Sequence, residues 1–473
     1  MRKTRIVCTL GPSSVEIPVL RKLFAAGMDV ARLNFSHGDE AQHRAAVEAV
    51  RQVARETGRY VALLQDLQGP KIRTGSLSEP MVRLARGRDI ILTSRSVRGD
   101  ERTIAVSHQE IISAAQPGDR VLLADGQIEL KVRSAHGNGQ VECSVVRGGL
   151  LGERKGVAIP GRSLTLPALT DKDKQDLALG AELQFDYVAI SFVRSADDVK
   201  ACRDEMDKLG WKAPVVAKLE KLQAIRNLRE IIRASDAVMV ARGDLGVEMA
   251  LGEVPAIQKD IIARANRAGV PVITATEMLE SMVTSNRPTR AEASDVANAV
   301  LDGADALMLS GETSVGRYPI ETVRTMSRII QAVERESTVV PPLTHVPRTK
   351  RGVISYAARD IGERLNAKAL VAFTQSGDTV RRLARLHTHL PLLAFTPEQG
   401  VRSQLALTWG TETFIVPSVD STDQMVRHVD SSMLDIGRYQ PGDLVVIVAG
   451  SPPGTIGSTN LIRVHRLGEE DHA

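Results

Sequence analysis

Lys218, Glu220 and Asp244 pose the chemical question in this sequence. In the stretch 215–246, VVAKLEKLQAIRNLREIIRASDAVMVARGDLG, Lys218 and Glu220 stand two residues apart in an apolar run. Side chains of an extended strand alternate faces, so an ammonium and a carboxylate project from one surface. A second apolar run closes on Arg242, Gly243 and Asp244. Between the runs, Leu222, Ile225, Leu228, Ile231 and Ile232 recur at helical spacing. That pattern predicts a strand, a helix and a strand, and brings Asp244 to the sheet edge that carries Glu220. Two carboxylates beside a lysine can hold a hard divalent cation next to a fixed positive charge. They can equally form a salt bridge at a strand end, and this stretch alone leaves both readings open.

Short apolar runs at 5–10, 30–35 and 61–67 alternate with helical patterns at 15–26 and 40–57, the rhythm of parallel strands joined by helices. After Gly69 the rhythm stops. Residues 70–166 read as short alternating strands, the clearest being a hairpin of 127–132 against 141–145 across a turn at 136–139. We take them as an inserted all-β domain. The βα rhythm resumes near 167, with strands predicted at 187–193, 215–220, 237–243, 270–276 and 306–310. Three strands before the insertion and five after it make eight, and eight βα units close into a barrel whose functional groups sit at the strand C-termini. Asn34, Asp66, Glu220, Asp244, Thr276 and Ser310 all fall at such ends. A doubly wound open sheet is the competing architecture. Beyond a polar, proline-containing stretch at 337–351, strands predicted at 369–374, 392–396, 414–417 and 444–449 alternate with helices and form a third, separate unit. The expected fold is α/β: a TIM (β/α)8 barrel at 1–69 and 167–340, a β-rich insertion at 70–166 and a C-terminal α/β domain at 345–473.

A chain of 473 residues accommodates two to four domains at roughly 100–200 residues each. Its 61 basic and 57 acidic residues are spread rather than blocked, so composition supports neither nucleic acid nor membrane as a partner. A small anion needs only a local basic cluster. Cys8, Cys143 and Cys202 are widely separated and odd in number, as expected of buried, reduced thiols in a cytoplasmic protein. The N-terminal apolar run is too short for the core of a signal peptide. No stretch approaches the ~18 consecutive apolar residues of a membrane span.

Arg32, Asn34 and Ser36 alternate with Leu33 and Phe35, so the polar three share one face and could line the barrel mouth. Arg32 could form an ion pair in the rim, but its amide, hydroxyl and acid company favours an anion site. Residues 66–73, DLQGPKIR, lie where the barrel hands over to the insertion. Gly69-Pro70 fits a hinge, Lys71 and Arg73 put two charges on the first strand beyond it, and Lys155 adds a third near the return. These are either solvated surface charges or a clamp for polyphosphate, and their place at both ends of a lid over an acidic mouth favours the clamp. Glu220 and Asp244 suit Mg²⁺, which takes one or two carboxylates with substrate oxygens and water. Lys218 would stabilise a transferring phosphoryl group or an enolate. Gly243 would let backbone N–H groups approach an anion.

Together these segments resemble the pyruvate kinases over essentially the whole chain. The motifs are TLGP from Thr9, RLNFSHG from Arg32, GPKIRTG from Gly69, AKLE from Ala217, ARGDLG from Ala241, ATEMLESM from Ala275, NRPTRAEASDVANAV from Asn286 and MLSGETSVGRYP from Met308. Each is weak alone; eight in order, with the insertion in the right gap, are specific. The resemblance implies a catalytic barrel, a mobile lid and a C-terminal regulatory domain, in a cytoplasmic homotetramer. The implied reaction, the last step of glycolysis, is phosphoryl transfer from phosphoenolpyruvate to ADP, giving pyruvate and ATP. Arg32 would hold the substrate phosphate, Lys218 would stabilise the transition state and the enolate, and Gly243, Asp244 and Thr276 would contact the substrate. Glu220 and Asp244 would bind Mg²⁺, with a second Mg²⁺ arriving on the nucleotide. Asn34, Phe35, Ser36, His37, Arg73 and Lys155 would contact the nucleotide. Thr276 and Ser310, with ordered water, are candidates for delivering the proton to the enolate carbon.

One departure is informative. Many relatives carry Asp-Thr-Lys-Gly-Pro-Glu and need K⁺, with the Thr as one ligand; this chain has Asp66-Leu67-Gln68-Gly69-Pro70-Lys71. Leu67 offers no side-chain oxygen and Lys71 supplies a covalent cation, so activity without K⁺ is expected. If K⁺ is needed, Asn34, Ser36, Asp66 and Leu67 are the residues to surround it. In the C-terminal unit the loop Thr374, Gln375, Ser376, Gly377, Asp378 and Thr379 follows a strand and opens a helix predicted at 380–386, with Arg381, Arg382 and Arg385. It resembles the family's sugar-phosphate effector loop, where backbone N–H groups at a helix start favour anions. Asp378 could instead cap the helix, and the loop 450–459 could close over a ligand. Two other classes remain: a Mg²⁺-dependent pyruvate-type aldolase or lyase, which has no reason for a basic lid between the third and fourth strands, and a non-catalytic metabolite sensor, which need not retain Lys218.

Overall fold

Eight apolar runs pair in parallel and close on themselves, so the open-sheet alternative is set aside. They are Arg5–Thr9, Val30–Asn34, Ala62–Asp66, Tyr187–Ile190, Val215–Leu219, Ala237–Ala241, Val272–Ala275 and Ala306–Leu309, the first pairing with the eighth. The structure, a computed structural model, describes residues 2–135, 139–162, 164, 166–336, 347–453 and 457–469. Side chains alternate, which explains why the strands read as unbroken apolar runs: both faces are buried. One set, including Val30, Leu64, Val216, Met239, Ile273 and Met308, fills the barrel interior. The other packs outward on helices that contribute Leu20, Val47, Leu177, Val199, Ile261 and Val296.

Between the third and fourth barrel strands lies a separate β body with a six-stranded and a two-stranded sheet around its own core of Ile90, Leu92, Val121, Leu130 and Val141. The anticipated hairpin is present as Ile128–Ala135 against Gln140–Arg147, with Leu130 opposite Val145. Of its turn, residues 136–138 lie outside the described residues. Gly69, where the chain leaves the barrel, has φ 67°, and a Cβ there would lie 2.9 Å from the Ser191 side chain. Only glycine meets both conditions without strain.

The C-terminal sheet has four parallel strands, Ala369–Phe373, Leu392–Thr396, Thr411–Ile415 and Leu444–Gly450, and a fifth, Thr459–Arg466, antiparallel at its edge. The third begins three residues before the predicted 414–417, and the fifth was not anticipated: its Asn460, Arg463 and His465 interrupt the apolar pattern of an inner strand. Residues 337–346 of the polar stretch lie outside the described residues. Among the described residues, no helix is long and apolar enough to cross a membrane.

Two local expectations change. The helix read as continuous from 222 to 232 is two, Leu222–Arg226 and Leu228–Ala234, parted at Asn227, whose side-chain amide donates to the Arg194 carbonyl at 2.9 Å. The run predicted as a strand to 243 stops at Ala241, and Arg242–Glu248 is a short helix, so Asp244 reaches the barrel mouth from a first helical turn.

Candidate active site

Lys218 points into the barrel mouth, where its ammonium lies 2.9 Å from Glu220 Oε1, 3.3 Å from Asp66 Oδ1 and 2.7 Å from Ser191 Oγ. Burial disfavours its charge, but Asp66 and Glu220 together hold its pKa well above that of a free lysine. It is therefore a permanent cation and donor, not a base. Asp66 and Arg32 sit at the ends of adjacent strands, and Arg32 Nε donates to Asp66 Oδ2 at 2.6 Å. Burial pushes the Asp66 carboxyl upward, yet Lys218 and Arg32 carry it below the usual carboxylate range. Arg32 Nη1 donates to Thr9 Oγ1 at 2.8 Å, which fixes the guanidinium plane.

Glu220 is buried, and its second oxygen accepts the Phe192 N–H at 2.7 Å. Burial raises its pKa; Lys218 opposes that and nearby Asp244 adds to it. The two carboxylates line one cavity of about 90 Å³ between the barrel mouth and the inserted body, together with Lys71 and Asp125 from the latter. Two acids whose mutual repulsion raises a pKa fit a divalent cation, and the pair suits Mg²⁺ completed by substrate oxygens and water. Among the described residues no group of three or more His, Cys, Asp or Glu could hold a metal by itself.

The helix bearing Asp244 is fastened at its start. Arg242 Nη1 donates to both Asp295 oxygens at 2.8 and 2.6 Å, and Nη2 to the Thr276 carbonyl at 2.6 Å. Thr276 has φ 69°, Glu277 φ 53° and Phe192 φ 58°. A β-branched residue there costs on the order of 1–3 kcal/mol and persists only where its surroundings hold it. The Gly243 N–H, expected to face an anion, donates instead to Thr276 Oγ1 at 2.9 Å. Ser310 follows the eighth strand, with a buried hydroxyl that has no partner among the described residues; its N–H donates to the buried Glu312 at 2.7 Å.

Asn34 ends the second strand and accepts the Ser36 N–H at 3.1 Å. The pKa of His37 is lowered by partial burial and then by Arg73, Lys71 and Arg32; of the basic residues of the insertion, Lys71 lines the cavity that Glu220 and Asp244 border. Phe35 does not: its ring stacks on His43, edge-on to Phe185, and is buried, leaving only main chain to offer a nucleotide. Leu67 is similarly buried, and its carbonyl accepts the Ser191 hydroxyl at 2.8 Å, so main chain is all it could offer a cation. Arg73 and Lys155 come from neighbouring segments of the insertion: Arg73 pairs with Gly156 in an antiparallel bridge, and the Thr74 N–H donates to the Lys155 carbonyl at 2.8 Å.

In the C-terminal domain, Thr374, Gln375, Ser376, Asp378 and Thr379 line a cavity of about 30 Å³ with Gly450 and Thr459. Gly377, at φ 76°, occupies the cap position of the helix Asp378–Ala384. Asp378 does not cap; it accepts from Arg351 at 3.0 Å and Arg382 at 2.8 Å. Residues 454–456 of the loop expected to close over this cavity lie outside the described residues.

Ser191, Phe192 and Glu312 were not foreseen. Ser191 directly follows its strand, a polar residue at the end of an apolar run, which is a usable signal; Glu312 acts through two backbone N–H groups, which leaves no mark in a sequence.

Residues 1–323 match the family described as pyruvate kinase, barrel domain, and residues 353–465 the one described as pyruvate kinase, alpha/beta domain. The chain is 60% identical over 470 residues to a pyruvate kinase of Mycobacterium tuberculosis, covering 99% of each chain. It is 54% identical over 469 residues to that of Corynebacterium efficiens, covering 99% of this chain and 98% of the other. The crystal structure of a pyruvate kinase from Cryptosporidium parvum superposes with a TM-score of 0.91 at 33% identity, covering 98% of this chain and 96% of that one. These matches do not favour the aldolase or sensor readings. A lysine held between two acids at the mouth of an eight-stranded barrel, an insertion after its third strand and a C-terminal α/β sheet thus agree with two matched domains: the chain belongs to the pyruvate kinase family.

Proposed function

We propose that this protein transfers the phosphoryl group of phosphoenolpyruvate to ADP with the residues of the barrel mouth, and that the observation carrying this is the position of Lys218 between Asp66, Glu220 and Ser191. A donor already positively charged and already fixed needs no reorganisation as charge shifts toward the bridging oxygen. Arg32, with Nε and Nη1 committed, presents Nη2 to the substrate phosphate. Glu220 and Asp244 would hold Mg²⁺, which when bound supplies charge against the transferring oxygens. Thr276 Oγ1 accepts from Gly243 and keeps its own proton for the substrate; with Ser310 it lines the route of the proton to the enolate carbon. Arg73 and Lys155, with main chain at Asn34–His37, would take the phosphates of the nucleotide, and residues 70–166 would act as a lid that excludes water during transfer.

K⁺ is dispensable in this reading. Leu67 lends no side-chain oxygen, its carbonyl already accepts the Ser191 hydroxyl, and Lys71 brings an ammonium to the cavity that Glu220 and Asp244 border. Regulation by a phosphorylated metabolite at Thr374–Thr379 and a cytoplasmic homotetramer complete the proposal, with Arg351, Arg381 and Arg382 supporting the anion. Pyruvate formation from phosphoenolpyruvate should require ADP and Mg²⁺ and proceed in buffer free of Na⁺ and K⁺. Negligible turnover there, restored several hundred-fold by K⁺, would refute the K⁺-free mechanism; turnover without ADP would refute the transfer.

A further inference from the structure

Glu248 is a buried carboxylate for which the reaction has no role. It closes the short helix that begins at Arg242, four residues beyond Asp244 and therefore on the same helical face. Its Oε1 lies 2.6 Å from the ammonium of Lys221, the residue that follows Glu220, while Oε2 is buried without a partner among the described residues. Lys221 also sits 5.6 Å from the centre of the Phe192 ring, and the Phe192 N–H donates to Glu220. Lys221, Glu248, Glu220 and Asp244 all border the same cavity.

We propose that Lys221 and Glu248 are a positioning pair that sets the affinity of the Glu220–Asp244 site for its divalent cation. This rests on the metal role assigned above to those two acids. A helix of seven residues has too few internal hydrogen bonds to fix its own orientation, so its ends decide it. Arg242 holds the start; the Lys221–Glu248 pair holds the finish and ties it to the strand end that carries Glu220. The separation of the two metal carboxylates is thus set by the Arg242 contacts at one end of the helix and the Lys221–Glu248 contact at the other. Lys221 also neutralises a third carboxylate beside the site, which keeps Glu248 from competing for the cation.

Mn²⁺ serves as the probe, with free ion counted by electron paramagnetic resonance on the full chain without substrates, and thermal melts run in EDTA. Lys221→Met and Glu248→Gln should each weaken Mn²⁺ binding about 10–100-fold, the usual effect of losing a group that orients a metal ligand. The double variant should lose little more than either alone, because the two act as one unit. Lys221→Arg should return to within a few-fold of wild type. Unchanged Mn²⁺ affinity in the single variants, with or without a lower melting temperature in EDTA, overturns the proposal, as does a fully additive double variant. Mn²⁺ binding that survives Glu220→Gln undoes the metal assignment itself and the pair with it, a result separable from failure of the pair alone.

Discussion

At the scale of single residues, the barrel mouth is a run of alternating charge: Arg32, Asp66, Lys218, Glu220. Each buried ion is matched by a neighbour, which is the condition under which buried charge is tolerated. Asp66 is central because it touches both cations, holding Arg32 in plane and Lys218 charged. If Lys218 acts mainly on the transition state, Lys218→Met should lower kcat by at least ~10²–10³, with the KM for phosphoenolpyruvate little changed. Steady-state kinetics of the purified variant decide this, and a variant that keeps a tenth of wild-type kcat would remove lysine from that role.

At the scale of elements, the important junction is where the chain leaves the third barrel strand. Gly69 turns with positive φ against Ser191, and its N–H donates to the buried Asp173 at 3.0 Å. The hinge glycine therefore abuts the serine that accepts from Lys218. Gly69→Ala adds a left-handed alanine, a cost of roughly 1–2 kcal/mol, and places its Cβ against Ser191. We expect a lower melting temperature and a fall in kcat larger than that stability loss explains, because Ser191 must shift from Lys218. Thermal melts and steady-state rates on one preparation test this; wild-type kcat in the variant would separate the hinge from the site.

At the scale of the whole molecule, the floor of the barrel is joined to the C-terminal domain through Asp305. Its carboxylate accepts from the Val272 N–H at 3.0 Å and, across the domain boundary, from the Trp409 N–H at 3.2 Å. Burial pushes its pKa up to about 7, although those N–H groups and Arg5 pull it down. A folded pKa above the unfolded value of about 3.9 means the protonated folded form is favoured, so this contribution is complete below about pH 4 and lost as pH rises through about 7. Asp305→Ala should be less stable by about 1–3 kcal/mol for the acceptor it removes. Its deficit relative to wild type should shrink between pH 5 and 7.5, as read by denaturant unfolding; a constant deficit would mean that Asp305 does not titrate there.

The sequence by itself determined the barrel, the place of the insertion and the residues at the strand ends. Alternation and helical spacing are local, and the βα rhythm leaves few ways to close a sheet. It also supplied Lys218, Glu220, Asp244 and Arg32, because strand-end polar residues stand out against apolar runs. Only the tertiary structure decided which charges meet. Asp66 between two cations, the Gly243 N–H turned to Thr276, the burial of Phe35 and the Lys221–Glu248 contact join residues far apart in sequence, Asp66 and Lys218 across 152 positions. Contacts across neighbouring strands of a closed sheet depend on register and curvature, which no local pattern of side chains encodes.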